Sequence, residues 1–435
     1  IFMTENIQVL IRVRPLIERE LKDKTCIVTT KNSLTLKEIT GNAIIDEYSS
    51  DYQFHFDKIE NQAPQEQVFK YVEPLLQDFL QGFNSSIMAY GLTSSGKTYT
   101  MFNTDSNNFG IVPRSIQFII QNLEQQVEAG KIEYYQLGFS FLQIYNEVLS
   151  DLLQPSTQLK IRLADDMIEI DNASIFQVTN VDEVTYLLYQ GEQNRKTGST
   201  KYNELSSRSH VIASFILQTN VSRSKLNLVD LAGSEKLTNS LSSKQGQETK
   251  HINTSLSVLN KVIYALSEKQ KFIPYRDSIL TKLLSDSLGG NFKSLLICCI
   301  SPAASSYFET LNSLRFAERA KRIQNNATKN EIVGDQFSEL EDQLKELTLR
   351  LDSMGKEDVR VVIQRLQDQI LEKQQILNFA GGEMNEKELK NLQSELNRKQ
   401  TKLNMQNKDV SQSMDKYKIV IQKQQENLKY LFSKI

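Results

Sequence analysis

Cysteine and histidine are scarce in this chain of 435 residues, three of each. Cys26 stands alone and Cys298 and Cys299 are neighbours, so no disulfide framework is available and a reducing compartment is expected. His55, His210 and His251 lie scattered without ligand spacing, which makes a structural zinc site improbable. The longest wholly apolar run, residues 295–300, falls far short of the roughly 18 residues a membrane-spanning helix needs. No charged-then-apolar leader opens the sequence. Charge of one sign is lacking as well. Lys and Arg number 51 against 53 Asp and Glu, a formal balance of −2, which gives no global field for nucleic acid and leaves only local patches for an acidic surface. A soluble, cytoplasmic protein is expected. At roughly 100–200 residues per domain the length allows two or three domains with a large core, and it excludes a mini-protein stapled by metal or disulfides.

All seven prolines lie between Pro15 and Pro302, and the sequence beyond turns rich in Gln, Asn, Lys and Glu, marking a boundary near Lys321. Before it, short β-type segments at 7–13, 139–144, 226–229 and 295–300 alternate with longer helical patterns, as in an α/β sheet with helices on its faces. After it, Phe337, Leu340, Leu344, Leu347, Leu351 and Met354 recur at steps of three and four and read as a short coiled coil over 337–354. Gly355 interrupts it. Residues 355–435 then read as an interrupted helical region, broken again at Gly381 and Gly382, with later seam positions on Lys399, Gln406 and Gln424.

Three segments carry chemistry. Gly91, Leu92, Thr93, Ser94, Ser95, Gly96, Lys97 and Thr98 fit the pattern G-x-x-x-x-G-K-[ST] behind the apolar run 87–89. Glycines let backbone amides turn inward around a polyphosphate, Lys97 brings a point charge to its outer phosphates, and the Thr98 hydroxyl suits Mg²⁺. A Gly/Ser surface turn is the bland alternative. The second segment, 226–230, is an apolar strand ending in Asp230, which can hold magnesium through its water, and Gly233 and Glu235 follow it. The third, 203–210, contains Asn203, Ser206, Ser207 and Arg208, with hydroxyls, an amide and a guanidinium. Alone it reads as a solvated loop; beside a phosphate loop it reads as a γ-phosphate sensor.

Together, AYGLTSSGKTYTM (89–101), NELSSRSH (203–210) and LVDLAGSE (228–235) resemble the motor domain of a kinesin. IQVLIRVRP (7–15), GIVPR (110–114), IPYRDSILTKLLSDSLGGN (273–291) and ETLNSLRFAERAKRI (309–323) match other blocks of that family. The resemblance covers about residues 5–335. It implies a P-loop NTPase fold with a central mixed, mostly parallel β-sheet flanked by helices over 1–322, a neck linker over 323–336, and coiled-coil segments after it. It implies ATP and Mg²⁺ as ligands, microtubules as the track, a homodimer formed through the coiled coil, and a place on the cytoskeleton.

Carried onto this sequence, the resemblance has Arg12, Pro15 and Tyr99 flank adenine and residues 91–98 hold the phosphates. Thr98, Ser207 and Asp230 attend the metal. Asn203 and Ser206 belong to the sensing loop with Ser207, Gly233 donates its N–H to the γ-phosphate, and Arg208 pairs with Glu235. Lys236, Lys244, Lys250, Lys261, Arg276 and Lys282 are the basic residues available to the track, although Ile279 stands where relatives usually carry lysine. Ile323 is expected to fill a docking pocket and Asn330 to latch the linker. Thr328 and Lys329 are expected to weaken docking, and the N-terminal strand that pairs with a docked linker is expected to be short or missing. The implied activity is microtubule-stimulated ATP hydrolysis driving plus-end movement. The alternatives are a non-walking kinesin acting at microtubule ends, or a microtubule-binding scaffold with a dead nucleotide site. A GTPase would need an N-K-x-D element, and none is found.

Overall fold

The computed structural model describes residues 3–37, 51–155, 157–164, 167–197, 208–235 and 243–331. The chain divides into two units, one of residues 1–159 and 176–331, the other of 160–175 and 332–435. The coiled-coil segments expected over 337–354 and 355–435 lie outside the described residues.

In chain order the strands are β1 (Met3–Asn6), β2 (Gln8–Val13), β3 (Ile27–Thr29), β4 (Ser33–Leu36), β5 (Tyr52–His55), β6 (Lys58–Asn61), β7 (Asn84–Tyr90), β8 (Tyr135–Tyr145), β9 (Val148–Asp151), β10 (Lys160–Ala164), β11 (Met167–Asp171), β12 (Phe176–Gln177), β13 (Ser209–Thr219), β14 (Arg223–Asp230), β15 (Phe292–Ile300) and β16 (Gln324–Ala327). The α-helices are α1 (Gln65–Phe69), α2 (Glu73–Leu80), α3 (Lys97–Phe102), α4 (Ile111–Glu128), α5 (Val181–Thr197), α6 (Ser243–Ser267), α7 (Ile279–Leu283) and α8 (Tyr307–Ala320). All four strand segments expected from the sequence lie in the large sheet. In the second unit, β10 and β11 form an antiparallel hairpin in which Arg162 pairs with Glu169 and Asp171.

The large sheet of the first unit runs β12-β8-β13-β14-β7-β15-β2-β6, with β9 on β8. It is mixed. From β14 through β7, β15 and β2 to β6 the pairings are parallel, and from β14 through β13 and β8 to β12 they are antiparallel. β7 is buried at every position, as a parallel strand covered on both faces must be. Side chains of β15 alternate between faces. Leu295, Ile297 and Cys299 join the core under α2 and α4 with Phe79, Ile116, Ile119 and Phe139, while the Cys298 thiol reaches the Ser313 carbonyl of α8. Asp230 and Ala89 are partners at the carboxyl ends of β14 and β7, so the two nucleotide motifs leave the sheet side by side. That end of a parallel sheet is where ligands bind in α/β folds.

Beyond α8 the chain returns as β16 and pairs antiparallel with β1, Met3 opposite Ala327 and Asn6 opposite Gln324. The N-terminal strand is therefore short and present. Its residues and those of β16 are mostly polar, so no apolar alternation announces them.

Candidate active site

The phosphate loop is shaped by backbone that only small residues tolerate. Gly91 has φ +148°, and a Cβ there would fall 2.0 Å from the Cys299 carbonyl. Ser94 and Gly96 are left-handed, and α3 starts at Lys97 with its first amides facing the loop. The buried Lys97 ammonium donates to the Gly91 and Leu92 carbonyls, 2.9 Å each. Thr98 Oγ1 donates to Asp230 Oδ2 at 2.6 Å. Burial pushes the Lys97 pKa down and the Asp230 pKa up, and the attraction between the two groups opposes both shifts. Asp230 Oδ1 and Ser95 Oγ are buried without a hydrogen-bond partner. A hydroxyl, a carboxylate and an orphaned carboxylate oxygen are hard donors of the kind Mg²⁺ takes, so the residues present fit that ion.

Arg12 and Tyr99 meet beside this loop. The Arg12 guanidinium lies 5.6 Å from the Tyr99 ring centroid and donates to Gln65 Oε1 and Thr100 Oγ1, 2.7 Å each. It is buried, whereas Pro15 and the Tyr99 ring are exposed. Arg14, which the sequence reading did not single out, holds the loop from outside: Nε donates to the Ser94 carbonyl at 2.7 Å, and both Nη groups bind the buried Glu20 carboxylate at 2.6 and 2.7 Å. That hydrogen-bonded pair lowers the Glu20 pKa. The signal available was the alternation Arg12-Val13-Arg14 at the end of a strand.

The loop after Asp230 is stitched to the phosphate loop. Leu231 N donates to Ala89 O and Ser234 N to Gly91 O at 3.1 and 3.0 Å. Glu235 Oε2 accepts from Thr93 N at 2.7 Å, and its Oε1 accepts from the Thr93 hydroxyl. Arg208, which the resemblance pairs with Glu235, is half-buried just before β13. A Cβ on Gly233 would lie 2.3 Å from Thr93 Oγ1 and 2.5 Å from Glu235, so a side chain there would displace that pair. Asn203, Ser206, Ser207 and Lys236 lie outside the described residues.

His210, passed over as a scattered histidine, is buried at the head of β13. Its Nδ1 accepts from Ala232 N at 3.0 Å, so Nε2 carries the proton and donates to Ser255 Oγ of α6 at 3.0 Å. Burial, with Lys97 nearby, lowers its pKa to about 3. The unfolded chain protonates this residue near pH 6.5, and the folded one does not until far lower. Across that window the unfolded state binds more protons, so the contribution to stability is complete above pH 6.5 and is lost as pH falls. Relative to His210→Asn, the wild-type unfolding free energy should drop by about 2 kcal/mol between pH 7 and pH 5. Parallel denaturation profiles of the two proteins across that range would refute this.

The basic residues expected to face a track sit mostly on and after α6. Lys244 and Lys250 lie on α6, with side chains outside the described residues; Lys261 and Arg276 are exposed and Lys282 is half-buried. The reading missed Lys269 and Lys271, both exposed, and Phe272, which is 77% exposed between them and Arg276. After α8, Ile323 is buried and Asn330 donates to the Gly82 carbonyl through both its N–H and Nδ2. Thr328, expected to weaken docking, donates its N–H and hydroxyl to Asn291 Oδ1, at 2.5 and 2.7 Å. Lys329 is exposed, pairs with Glu331 and bridges to Phe83 through its backbone.

A family model described as the kinesin motor domain matches residues 12–323. The chain is 37% identical over 387 residues to a kinesin-like protein KIN-12D of Arabidopsis thaliana, covering 82% of this chain and 14% of that protein. It is 39% identical over 379 residues to a KIN-12B of Oryza sativa subsp. japonica, covering 79% and 33%. The chain thus spans a third or less of these relatives. Among solved structures, a fast kinesin superposes with TM-score 0.67 at 32% identity, covering 75% of this chain and 94% of that one. A KIF14 dimer with AMP-PNP in complex with a microtubule gives 0.67 at 33% identity, covering 76% and 97%. With the phosphate loop, its paired acid, the loop that closes on them and the returning strand all in place, the chain belongs to the kinesin motor domain family.

Proposed function

We propose that this domain is a microtubule-stimulated ATPase that converts hydrolysis into movement along the microtubule. The observation that carries the reading is the segment after α8, held as a strand against the domain that contains the phosphate loop and its acid. Such a segment can be seated or released as the nucleotide site changes. Arg12, Pro15 and Tyr99 flank the adenine, residues 91–98 cradle the phosphates, and Lys97 offsets their charge. Thr98, Ser207 and Asp230 would hold Mg²⁺, which would supply neutralisation of phosphate charge there. Gly233 N–H meets the γ-phosphate, while Asn203, Ser206 and Arg208 close over it. Water attacks the γ-phosphorus, the bond to the bridging oxygen breaks, and Glu235 accepts the water's proton once Thr93 releases it. A scaffold with a dead nucleotide site finds no support, because Lys97, Thr98, Asp230 and Glu235 are all present and assembled.

The track surface in this reading is α6 with the Lys269–Arg276 turn, joined by Lys236 and Lys282, against acidic tubulin. Direction toward the plus end follows from a linker placed after the motor domain, and a homodimer from the seam at 337–354. The test is ATP turnover with and without polymerised tubulin at two ionic strengths. Turnover should rise at least ~tenfold with tubulin, and the half-saturating tubulin concentration should rise with salt, because exposed charges are screened beyond about 8 Å at physiological ionic strength. Turnover indifferent to tubulin overturns the reading. Gliding on polarity-marked microtubules reads the direction.

A further inference from the structure

We propose that His210 is a three-way joint, tying the loop that carries Gly233 and Glu235 to helix α6 so that a shift at either is carried to the other. The inference rests on the reading of α6 as the track-facing helix. The geometry is specific. His210 is the second residue of β13, directly after the 203–208 segment, and its neighbour Val211 is the strand partner of Asp230. Its Nδ1 receives the N–H of Ala232, one residue before Gly233, and its Nε2 donates to Ser255 in the middle of α6. The imidazole is 2% exposed and Ser255 3%, so water does not compete for either bond. A neutral imidazole has one acceptor and one donor on either side of Cε1 in a rigid ring, and here one serves the nucleotide loop and the other the helix. Packing alone would not need this polarity; an apolar ring would fill the volume. A buried amide and a buried hydroxyl that share one rigid ring cannot move independently without leaving a polar group unpaired. His210 is a positioning residue in this account and touches neither phosphate nor track.

Two side chains separate the links. His210→Asn puts an amide oxygen where Nδ1 stands and keeps the acceptor for Ala232 while losing the donor to Ser255. His210→Gln places an amide nitrogen near Nε2 and does the reverse. Ser255→Ala removes the helix link without touching the ring. In the full chain, Ser255→Ala should leave basal turnover and the ATP KM within twofold of wild type and cut the tubulin-stimulated kcat at least fivefold. His210→Asn should follow Ser255→Ala, and His210→Gln should instead lower basal kcat. A second measurement needs no tubulin: hydrogen exchange across 243–267 with and without a non-hydrolysable ATP analogue should change in wild type and not in Ser255→Ala. Wild-type stimulation and wild-type exchange response in Ser255→Ala overturn the joint, whether or not the histidine variants fold. If tubulin fails to stimulate even the wild type, the motor reading falls, and the exchange comparison alone then decides for or against the joint.

Discussion

Lys97→Ala should weaken ATP binding at least ~100-fold, about 2.7 kcal/mol, while the protein stays folded. The Lys97 ammonium is already buried, with the Gly91 and Leu92 carbonyls as its hydrogen-bond partners and Asp230 as a nearby anion. Burying a cation is costly, and the lowered pKa of Lys97 expresses that cost. The return comes when a polyphosphate brings clustered negative charge into the same low-dielectric loop, where each charge-assisted hydrogen bond contributes about 1.5–3 kcal/mol. Alanine removes the return and the cost together. Affinity therefore collapses while thermal stability stays within a few degrees of wild type or rises. Equilibrium titration with a fluorescent ATP analogue, beside a melting curve, checks both halves. Unchanged affinity would place the phosphates elsewhere; a collapsed melting temperature would mean that Lys97 is there to hold the loop together.

What could be read from the sequence and what could not divides along contact distance. The phosphate loop was legible because its parts are contiguous, and Asp230 because an apolar run ending in an acid is a local pattern. The large-sheet strands were legible for the same reason, since burial on both faces writes itself as unbroken apolar runs. The bonds that assemble the site were not. Thr93 meets Glu235 across 142 residues, His210 meets Ser255 across 45, and no periodicity encodes either. Arg14 was overshadowed by Arg12 although it grips the Ser94 carbonyl. The pairing of β1 with β16 was hardest to see, because the residues are Met-Thr-Glu-Asn and Gln-Asn-Asn-Ala. In β16 the inward positions are Asn325 and Ala327, so the period of two is present while the apolarity that normally reveals it is absent.

That polar strand sets the largest mechanical effect expected. Seating residues 323–330 costs roughly 1–2 kcal/mol of chain entropy per residue, and the sequence alone assigned the offset to Ile323, whose burial is worth about 1.5–3 kcal/mol. The structure adds a second anchor. Asn325, 2% exposed, donates through Nδ2 to the Ser287 and Phe292 carbonyls and to Ser294 Oγ, and its Oδ1 accepts from Gly289 N at 2.7 Å. Both the nitrogen and the oxygen of that amide are engaged. Asn325→Ala would leave the Gly289 amide without its acceptor beneath a seated linker, at about 1–3 kcal/mol, while the Ser287 carbonyl keeps its bond from Ser294 Oγ. That penalty is comparable to the loss from Ile323→Gly, and it applies only to the seated linker, because a released one lets water reach the amide. Each variant should shift the balance toward release by at least ~tenfold, since 1.4 kcal/mol is a factor of ten. The nucleotide site is built from other elements, so tubulin-stimulated turnover should stay within twofold of wild type while gliding velocity falls at least tenfold. Deleting residues 3–6 should slow gliding less, because β1 contributes backbone pairing while Thr4 and Asn6 are exposed. If Asn325→Ala and Ile323→Gly both glide at wild-type speed, the segment after α8 is a passive tether and force must arise elsewhere in the domain.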